Sequence, residues 1–320
     1  MTVQIYALRR VVLSFFLALG AALITFFSIH LAPGDAVLAA LGEAGMMTPE
    51  QVQVKRHELG LDRPLLAQCG DWIAHLVRGD LGTSFVNSRP IARDLATAFP
   101  RTLELVAAAL VVGLLAGIPA GVYSATHQDH WLDYLLTGLS LAAVSIPSFV
   151  SGTLLLLLFG LTLRWLPVSG YVSFADDPMQ HLRLLILPAM VLGLIVAAPV
   201  SRMTRAAVLE VRQSDFVRTA RAKGLPERVV LFGHTLKNAL IPVVTLTGVE
   251  VGSLLGGTVI IEYVFTWPGM STLLITAAER RDYPVVQGVV LVTAFFFILV
   301  SLLVDLLNAS LDPRIRQGSQ

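Results

Sequence analysis

Long uncharged runs recur along this chain, and they leave few folds open to it. A helix needs about 20 apolar residues to cross the hydrocarbon core of a bilayer. Runs of that order cover residues 11–34, 105–128, 134–163, 184–201 and 283–304, and a sixth, 238–261, is interrupted once, by Glu250. The fourth is short, but Arg183 and Arg202 bound it. The pattern predicts an all-α polytopic membrane protein of six transmembrane helices. Composition agrees: 55% of the residues are apolar and only 14% are charged, against a charged share of about 25% in soluble domains.

Charge sets the expected orientation. Arg9 and Arg10 precede the first run, Arg314 and Arg316 follow the last, and eight Lys or Arg residues lie from Arg202 to Lys237. Basic residues in short flanks favour the cytoplasmic side, so both termini and the 202–237 loop are expected there. The 32–101 segment carries seven basic residues, but it is long and holds a similar number of acids, and long loops follow the rule poorly. It is compatible with the outside. Pro33 stands where a signal peptide would be cleaved, so the first run is expected to remain as an anchor. The organisation expected is an anchor helix over 1–31, a periplasmic helical segment over 32–101, and a five-helix core over 102–320 containing the 202–237 loop.

The outer segment has its own punctuation. Thr48, Pro49 and Gln51 suit a helix start and Gly60 a stop. From Pro64 to Arg78, Leu65, Cys69, Trp72 and Leu76 fall on one face before Gly79 ends the helix. So few apolar positions in so long a segment imply docking onto the bundle rather than an independent domain. Cys69, the one cysteine, has no partner for a disulfide and is expected to be a small buried hydrophobe.

Within the runs, Gly113, Gly117 and Gly121, and again Gly248, Gly252 and Gly256, recur every four residues. Such ridges let helices approach closely. Pro119, Pro147, Pro188 and Pro199 predict kinks or breaks, with Ser145 and Ser148 placed to satisfy backbone groups freed around Pro147.

No P-loop, H-E-x-x-H, Cys and His cluster or G-x-S-x-G elbow occurs, which leaves little basis for nucleotide hydrolysis or an intramembrane hydrolase. Glu250 is the acid well inside a run, where an ionisable group costs about 2.5–3.5 kcal/mol on insertion scales. At about 100° per residue it shares a face with Thr247, Ser253 and Gly257. That polar stripe could line a translocation pathway, or Glu250 could hold two helices together.

The cytoplasmic loop is more specific. Residues 214–223 read as a short capped helix, with Asp215 near its start, Lys223 at its end and Gly224 as its stop. Leu225 and Pro226 start a second helix through Val229, Val230 and Phe232. Phe216, Val217 and Ala220 form an apolar face bordered by Arg218, Arg221 and Lys223. A basic amphipathic helix can lie on anionic membrane lipid or dock into a partner's cleft. The small Ala220 and Ala222 favour docking, because lipid anchoring gains more from large apolar side chains.

At this point the residues match a family. Asp215-Phe216-Val217-Arg218-Thr219-Ala220-Arg221-Ala222-Lys223-Gly224-Leu225, followed by His234 and the run from Asn238 to Val243, resembles the EAA loop of ABC importer permeases in the dipeptide, oligopeptide and nickel branch. The likeness extends to Ala32-Pro33-Gly34-Asp35, Leu59-Gly60-Leu61-Asp62, Gly79-Asp80-Leu81-Gly82 and Ser145-Ile146-Pro147-Ser148-Phe149. It continues through the run from Leu166 to Tyr171, Glu262-Tyr263-Val264-Phe265 with Trp267-Pro268-Gly269, and the run from Arg281 to Gly288. Nearly the whole chain is covered.

The resemblance implies a type I ABC importer permease fold in the bacterial cytoplasmic membrane. It implies a second, homologous permease subunit that completes the pathway, two ATPase subunits beneath, a periplasmic solute-binding protein that delivers cargo, and no nucleic-acid partner. ATP and Mg would be bound by the ATPases, and this chain would bind no cofactor. Asp215 to Gly224 would be the coupling helix, with Gly224 giving the turn and Ala220 and Ala222 close approach. Glu262, Phe265, Trp267, Pro268 and Gly269 would lie at the periplasmic mouth. The wider EAA pattern has an acid six residues before the glycine, where this chain has Arg218, so salt bridges of other branches do not carry over. Cargo of this branch includes peptides, nickel complexes, glutathione and oligosaccharides, with peptides foremost. Two other readings are an autonomous secondary transporter using Glu250 as an ion site and a structural bundle whose loop recruits a cytoplasmic protein.

Overall fold

The computed structural model describes residues 3–30, 53–54, 57 and 62–311. The expected helix start at Thr48, Pro49 and Gln51, its stop at Gly60, the motif from Ala32 to Asp35, most of the one ending at Asp62, and Arg314 and Arg316 lie outside those residues.

Among the described residues the chain is helical, with one isolated bridge between Thr83 and Pro90. The helices are α1 (Val3–His30), α2 (Leu65–Val77), α3 (Ile91–Thr126), α4 (Trp131–Ser145), α5 (Ser148–Thr162), α6 (Pro178–Arg212), α7 (Asp215–Ala222), α8 (Glu227–Val264), α9 (Met270–Glu279) and α10 (Tyr283–Leu311). Five are long and apolar enough to cross a membrane, and a sixth crossing is available if the bent pair α4 and α5 counts as one. The expected all-α polytopic architecture is present.

Helices overrun the apolar stretches that announced them, because turns at either end carry polar residues that the hydropathy pattern leaves out. α6 shows how such an end is made: Pro178 opens the first turn, and the Asp177 carboxylate accepts the Gln180 N–H at 2.9 Å.

The third run is one long span in the sequence and a broken pair in the structure, bent by 108°. Ile146 takes an extended conformation (φ −86°, ψ 124°) before Pro147, as the proline ring demands of its predecessor. Pro119, Pro188 and Pro199 do not break their helices and are carried inside continuous α3 and α6. Packing decides between these outcomes. The apolar window of α6 is 72% buried, so neighbours hold the helix through its prolines, whereas α4 and α5 expose Leu139, Leu141, Val144, Ile146 and Phe149. Ser145 does not serve the break: its hydroxyl donates to Leu141 O at 2.9 Å, within its own helix.

The chain forms two compact units. The larger is built on Leu103–Trp267 with the start of α1 up to Val11 and the last turns of α10 from Leu299; the smaller takes in Pro268–Ile298 and the described part of Val12–Thr102. In the larger unit α3 and α6 cross closely. Val196 lies where a Cβ on Gly113 would fall, Ala197 O where one on Gly117 would fall, and Val112 occupies the equivalent space at Gly193. The expected ridge is therefore used for packing.

In the smaller unit the first turns of α3 bury Ile91, Leu95 and Ala98 against Met270, Ala277, Val285 and Val289 of α9 and α10. α2 presents the predicted face: Cys69 is buried and free, and Trp72 stacks obliquely on Phe26 at 5.5 Å.

Candidate functional site

α7 occupies the place the loop predicted, from Asp215 to Ala222, and its end explains Gly224. Gly224 has φ +76°, its N–H bonds Arg221 O at 2.9 Å, and Leu225 N–H reaches Ala220 O at 3.4 Å. This is a Schellman closure, whose left-handed residue is cheapest as glycine. The second helix is not separate. It begins at Glu227 after Pro226, passes through a π-helical stretch at Val230–Thr235, and continues unbroken as α8.

The apolar face is divided differently from the sequence expectation. Val217 and Ala220 are buried against Val230, with Val211 alongside, so Ala220 serves internal packing rather than an outside contact. Phe216, Arg218, Thr219, Ala222, Lys223 and Gly224 are exposed. Arg221 also acquires a partner: its Nε and Nη2 donate to the two Glu227 carboxylate oxygens at 3.1 and 2.7 Å. That carboxylate raises the Arg221 pKa above its ordinary value, so the charge is fixed. Among the described residues Arg218 meets only the exposed Asp215, at 3.8 Å. The basic amphipathic helix is thus clamped on one side, leaving an exposed face of one aromatic, small residues and uncommitted charge.

Glu250 is half-buried in the middle of α8, and no hydrogen bond or ion pair to its carboxylate occurs among the described residues. Along its predicted stripe, Thr247 is half-buried and bonds Val243 O at 2.8 Å, while Ser253 and Gly257 are exposed. Hydroxyls that bond their own helix remain able to face a partner or water.

The turn after α8 is an inward structure. Thr266 takes φ +53°, Thr266 N–H bonds Tyr263 O at 3.2 Å and Trp267 N–H bonds Glu262 O at 2.8 Å. The closure is the one seen at Gly224, here with a β-branched residue in the left-handed position, a conformation that costs about 1–3 kcal/mol and persists only where its surroundings hold it. Trp267 supplies the hold. It is fully buried, edge-on to Tyr171 at 4.9 Å and to His181 at 5.7 Å, and Gly170 N–H bonds Phe265 O at 3.0 Å. Two motifs far apart in sequence thereby meet. Glu262, Phe265, Trp267 and Gly269 are buried and Pro268 half-buried, which leaves Tyr263 and Thr266 as the exposed side chains of the turn.

His181 is the residue that sequence reasoning passed over here. Its ring nitrogens lie 2.7 Å from Val172 O and 2.6 Å from Glu104 Oε1, fixing the loop before α6 to α3. In the smaller unit Asp282 has a similar role: the Ser84 hydroxyl and the Phe85 N–H donate to its carboxylate, the latter at 3.1 Å. This ties the turn that follows the Gly79 to Gly82 motif to the Arg281 to Gly288 motif. Asp133, buried at the start of α4, accepts bonds from Arg205 Nε at 3.0 Å and Nη2 at 2.9 Å and from the Ser124 hydroxyl. Asp133 lies one residue ahead of its apolar run and Arg205 four beyond another; charges so close to lipid-facing segments were the available signal.

The described residues thus form a helical bundle with several apolar spans and a short basic helix fixed against its own chain. Residues 117–317 match the family described as binding-protein-dependent transport system inner membrane component, and residues 3–106 match its N-terminal counterpart; the chain belongs to this family of ABC importer permeases. It is similar to a Brucella abortus (strain 2308) protein described as a peptide transport system permease, 42% identical over 309 residues, 97% of this chain and 98% of that one. Glutathione transport system permease proteins of Pectobacterium atrosepticum and Escherichia coli (strain K12) are each 42% identical over 294 residues, 92% of both chains. The chain is a multi-pass inner-membrane permease, not an enzyme, as the motif resemblance implied.

Proposed function

We propose that this chain forms half of the translocation pathway of an ATP-driven, binding-protein-dependent importer, and that α7 couples it to an ATPase subunit. A second, homologous permease completes the pathway, two ATPases bind ATP and Mg, and a periplasmic binding protein delivers cargo. The chain itself binds no cofactor. Both termini and α7 are cytoplasmic, and the turn after α8 lies towards the periplasm. Peptides, glutathione among them, are the proposed cargo, supported by the names of the relatives.

The observation that carries the coupling role is the division of α7. Val217, Ala220 and Arg221 fix the helix to its own chain, and Phe216, Arg218, Thr219 and Ala222 remain on a rigid exposed face. A helix meant only to rest on lipid gains nothing from being clamped at a set angle. In the cycle, ATP binding closes the ATPases and moves α7 with them, which tilts the membrane helices and opens an outward cavity; hydrolysis resets it.

The test is a cysteine at Ala222 in the assembled transporter, in a Cys69→Ser background. It is expected to crosslink to an ATPase subunit, while one at the buried Ala220 is not. Crosslinking to lipid alone, or cargo uptake by the lone chain without ATP, overturns the reading.

A second reading, an autonomous transporter with Glu250 as the ion site, is favoured by the carboxylate's half-buried position beside the exposed Ser253 and Gly257. Glu250→Gln separates the two: ATP-driven uptake largely persists in the importer, whereas ion-driven uptake by the lone chain is abolished.

A further inference from the structure

α6 ends beside the coupling helix, and its last residue holds three elements at once. Arg212 Nη1 donates to Ala125 O at 3.0 Å, and its Nη2 lies 3.6 Å from Glu227 Oε1. Ala125 sits in the last turn of α3, where the final carbonyls lack partners in their own helix. Glu227, in the first turn of α8, is the acid already gripped by Arg221 of α7. Arg212 therefore connects the coupling helix to the end of α3.

The same face of α6 carries a second grip about two turns earlier. Arg205 forms the paired bonds to Asp133 at the start of α4, and the Asp129 N–H bonds that carboxylate at 3.2 Å. The turn joining α3 to α4 is thus held at both ends by arginines of one helix. Beneath it Ala125, Ala207, Val208 and Ala239 pack together.

The two grips differ in kind. The Arg205 and Asp133 pair is buried at the acid and meets its partner through both nitrogens, which makes a rigid joint. The Arg212 contact with Glu227 is longer and its two side chains are 30% and 58% exposed, so cutting it leaves no buried charge behind. An arginine suits such a joint best, because its planar fork spreads donors towards a carbonyl and a carboxylate together, while a lysine ammonium gathers its donors at one point.

We propose that Arg212 is the positioning residue through which displacement of α7 reaches the α3–α4 turn, with Glu227 as its link to α7 and the Arg205 and Asp133 pair as its fixed anchor. The proposal rests on the coupling role of α7. It predicts that the α3–α4 turn follows α7 as one body during the ATP cycle, and that the two part when the Arg212 link is cut.

The experiment uses the assembled transporter in proteoliposomes with its binding protein. In a Cys69→Ser background, spin labels are placed on cysteines at Ala222 and at the exposed His130 in the α3–α4 turn. Their separation is measured before and after vanadate trapping. With Arg212 present the distance is expected to stay constant between the states. Arg212→Gln is expected to make it state-dependent and to lower stimulation of ATP hydrolysis by the binding protein at least about fivefold, the lower end of typical couplings. Basal hydrolysis and subunit co-purification are expected to hold. Arg212→Lys should restore part of the stimulation, and Glu227→Gln should reproduce the loss, the double variant being no worse than either single one.

Unchanged distance and stimulation in Arg212→Gln overturn the proposal. Failure of Arg212→Gln, Arg212→Lys and Glu227→Gln all to assemble overturns it as well, because the arginine then serves folding alone. If the Ala222 cysteine never crosslinks to an ATPase, the coupling role of α7 falls; the label distance still reports separately whether Arg212 ties the turn to α7.

Discussion

Two glycine ridges with the same four-residue spacing end in different surroundings. On α3, Gly113, Gly117 and Gly121 all lie against α6, and a Cβ at Gly113 would come within 2.7 Å of Val196 Cβ and one at Gly117 within 2.8 Å of Ala197 O. On α8, Gly248 meets the Val304 side chain, but at Gly256 and the neighbouring Gly257 a Cβ would find nothing within 4 Å. Small residues at this spacing permit close approach; they do not say who approaches. The α3 ridge is consumed within the chain, whereas the α8 ridge is closed at one end and open at the other, on the helix that carries Glu250.

The largest effect is expected at the closed ridge. Gly121→Ala would push a methyl into Ser201 O and Thr204 Cβ, and a helix backbone in a buried α6 has little room to withdraw. Overpacking of this kind costs about 1–3 kcal/mol, and the obstructing backbone places Gly121 at the upper end. The thermal midpoint of the purified chain should fall clearly, and the yield of folded protein with it. An unchanged midpoint would mean that α3 and α6 are not in contact here and would remove the basis of the comparison.

A smaller loss is expected at Gly248, where the obstacle is a side chain. Gly248→Ala meets the Val304 methyls, and valine is stiff about χ1, so the change should cost about 1 kcal/mol. Val304→Ala in the same chain removes the obstacle. Recovery of the midpoint in the double variant, measured as a coupling between neighbours, distinguishes a side-chain clash from a backbone one; no recovery would assign Gly248 the same closed packing as Gly121.

How much of this was legible in the sequence follows from which forces act locally. Apolar runs against lipid gave the spans, since every position in the hydrocarbon must be compatible with it. Gly224 and Gly79 gave true helix ends because a left-handed residue is a local requirement. Thr266 and Arg281 close helices in the same way without the glycine that would have announced them, because buried neighbours rather than intrinsic preference hold the backbone. The pairings of Arg205 with Asp133, Arg221 with Glu227 and His181 with Glu104 were not readable: each joins residues on different helices, and their partners depend on the crossing of those helices. The break at Pro147 was visible as a proline. That it would break while Pro188 would not depended on burial, which one sequence does not record.

The smallest expected effect is the most informative about the open ridge. Gly256→Ala places a methyl where the chain has no atoms, and replacing glycine by alanine in a helix interior favours the helix by about 0.5–1 kcal/mol. The isolated chain should therefore hold or slightly raise its thermal midpoint, opposite in sign to Gly121→Ala. In the assembled importer the outcome depends on what faces α8. If the second permease packs against this ridge, the same methyl meets a neighbour and weakens co-purification of the two permeases. If the ridge borders the pathway, assembly is untouched and uptake of a bulky peptide falls while ATP hydrolysis continues. A drop in the midpoint of the lone chain would show instead that Gly256 is already packed, and the two ridges would then be alike.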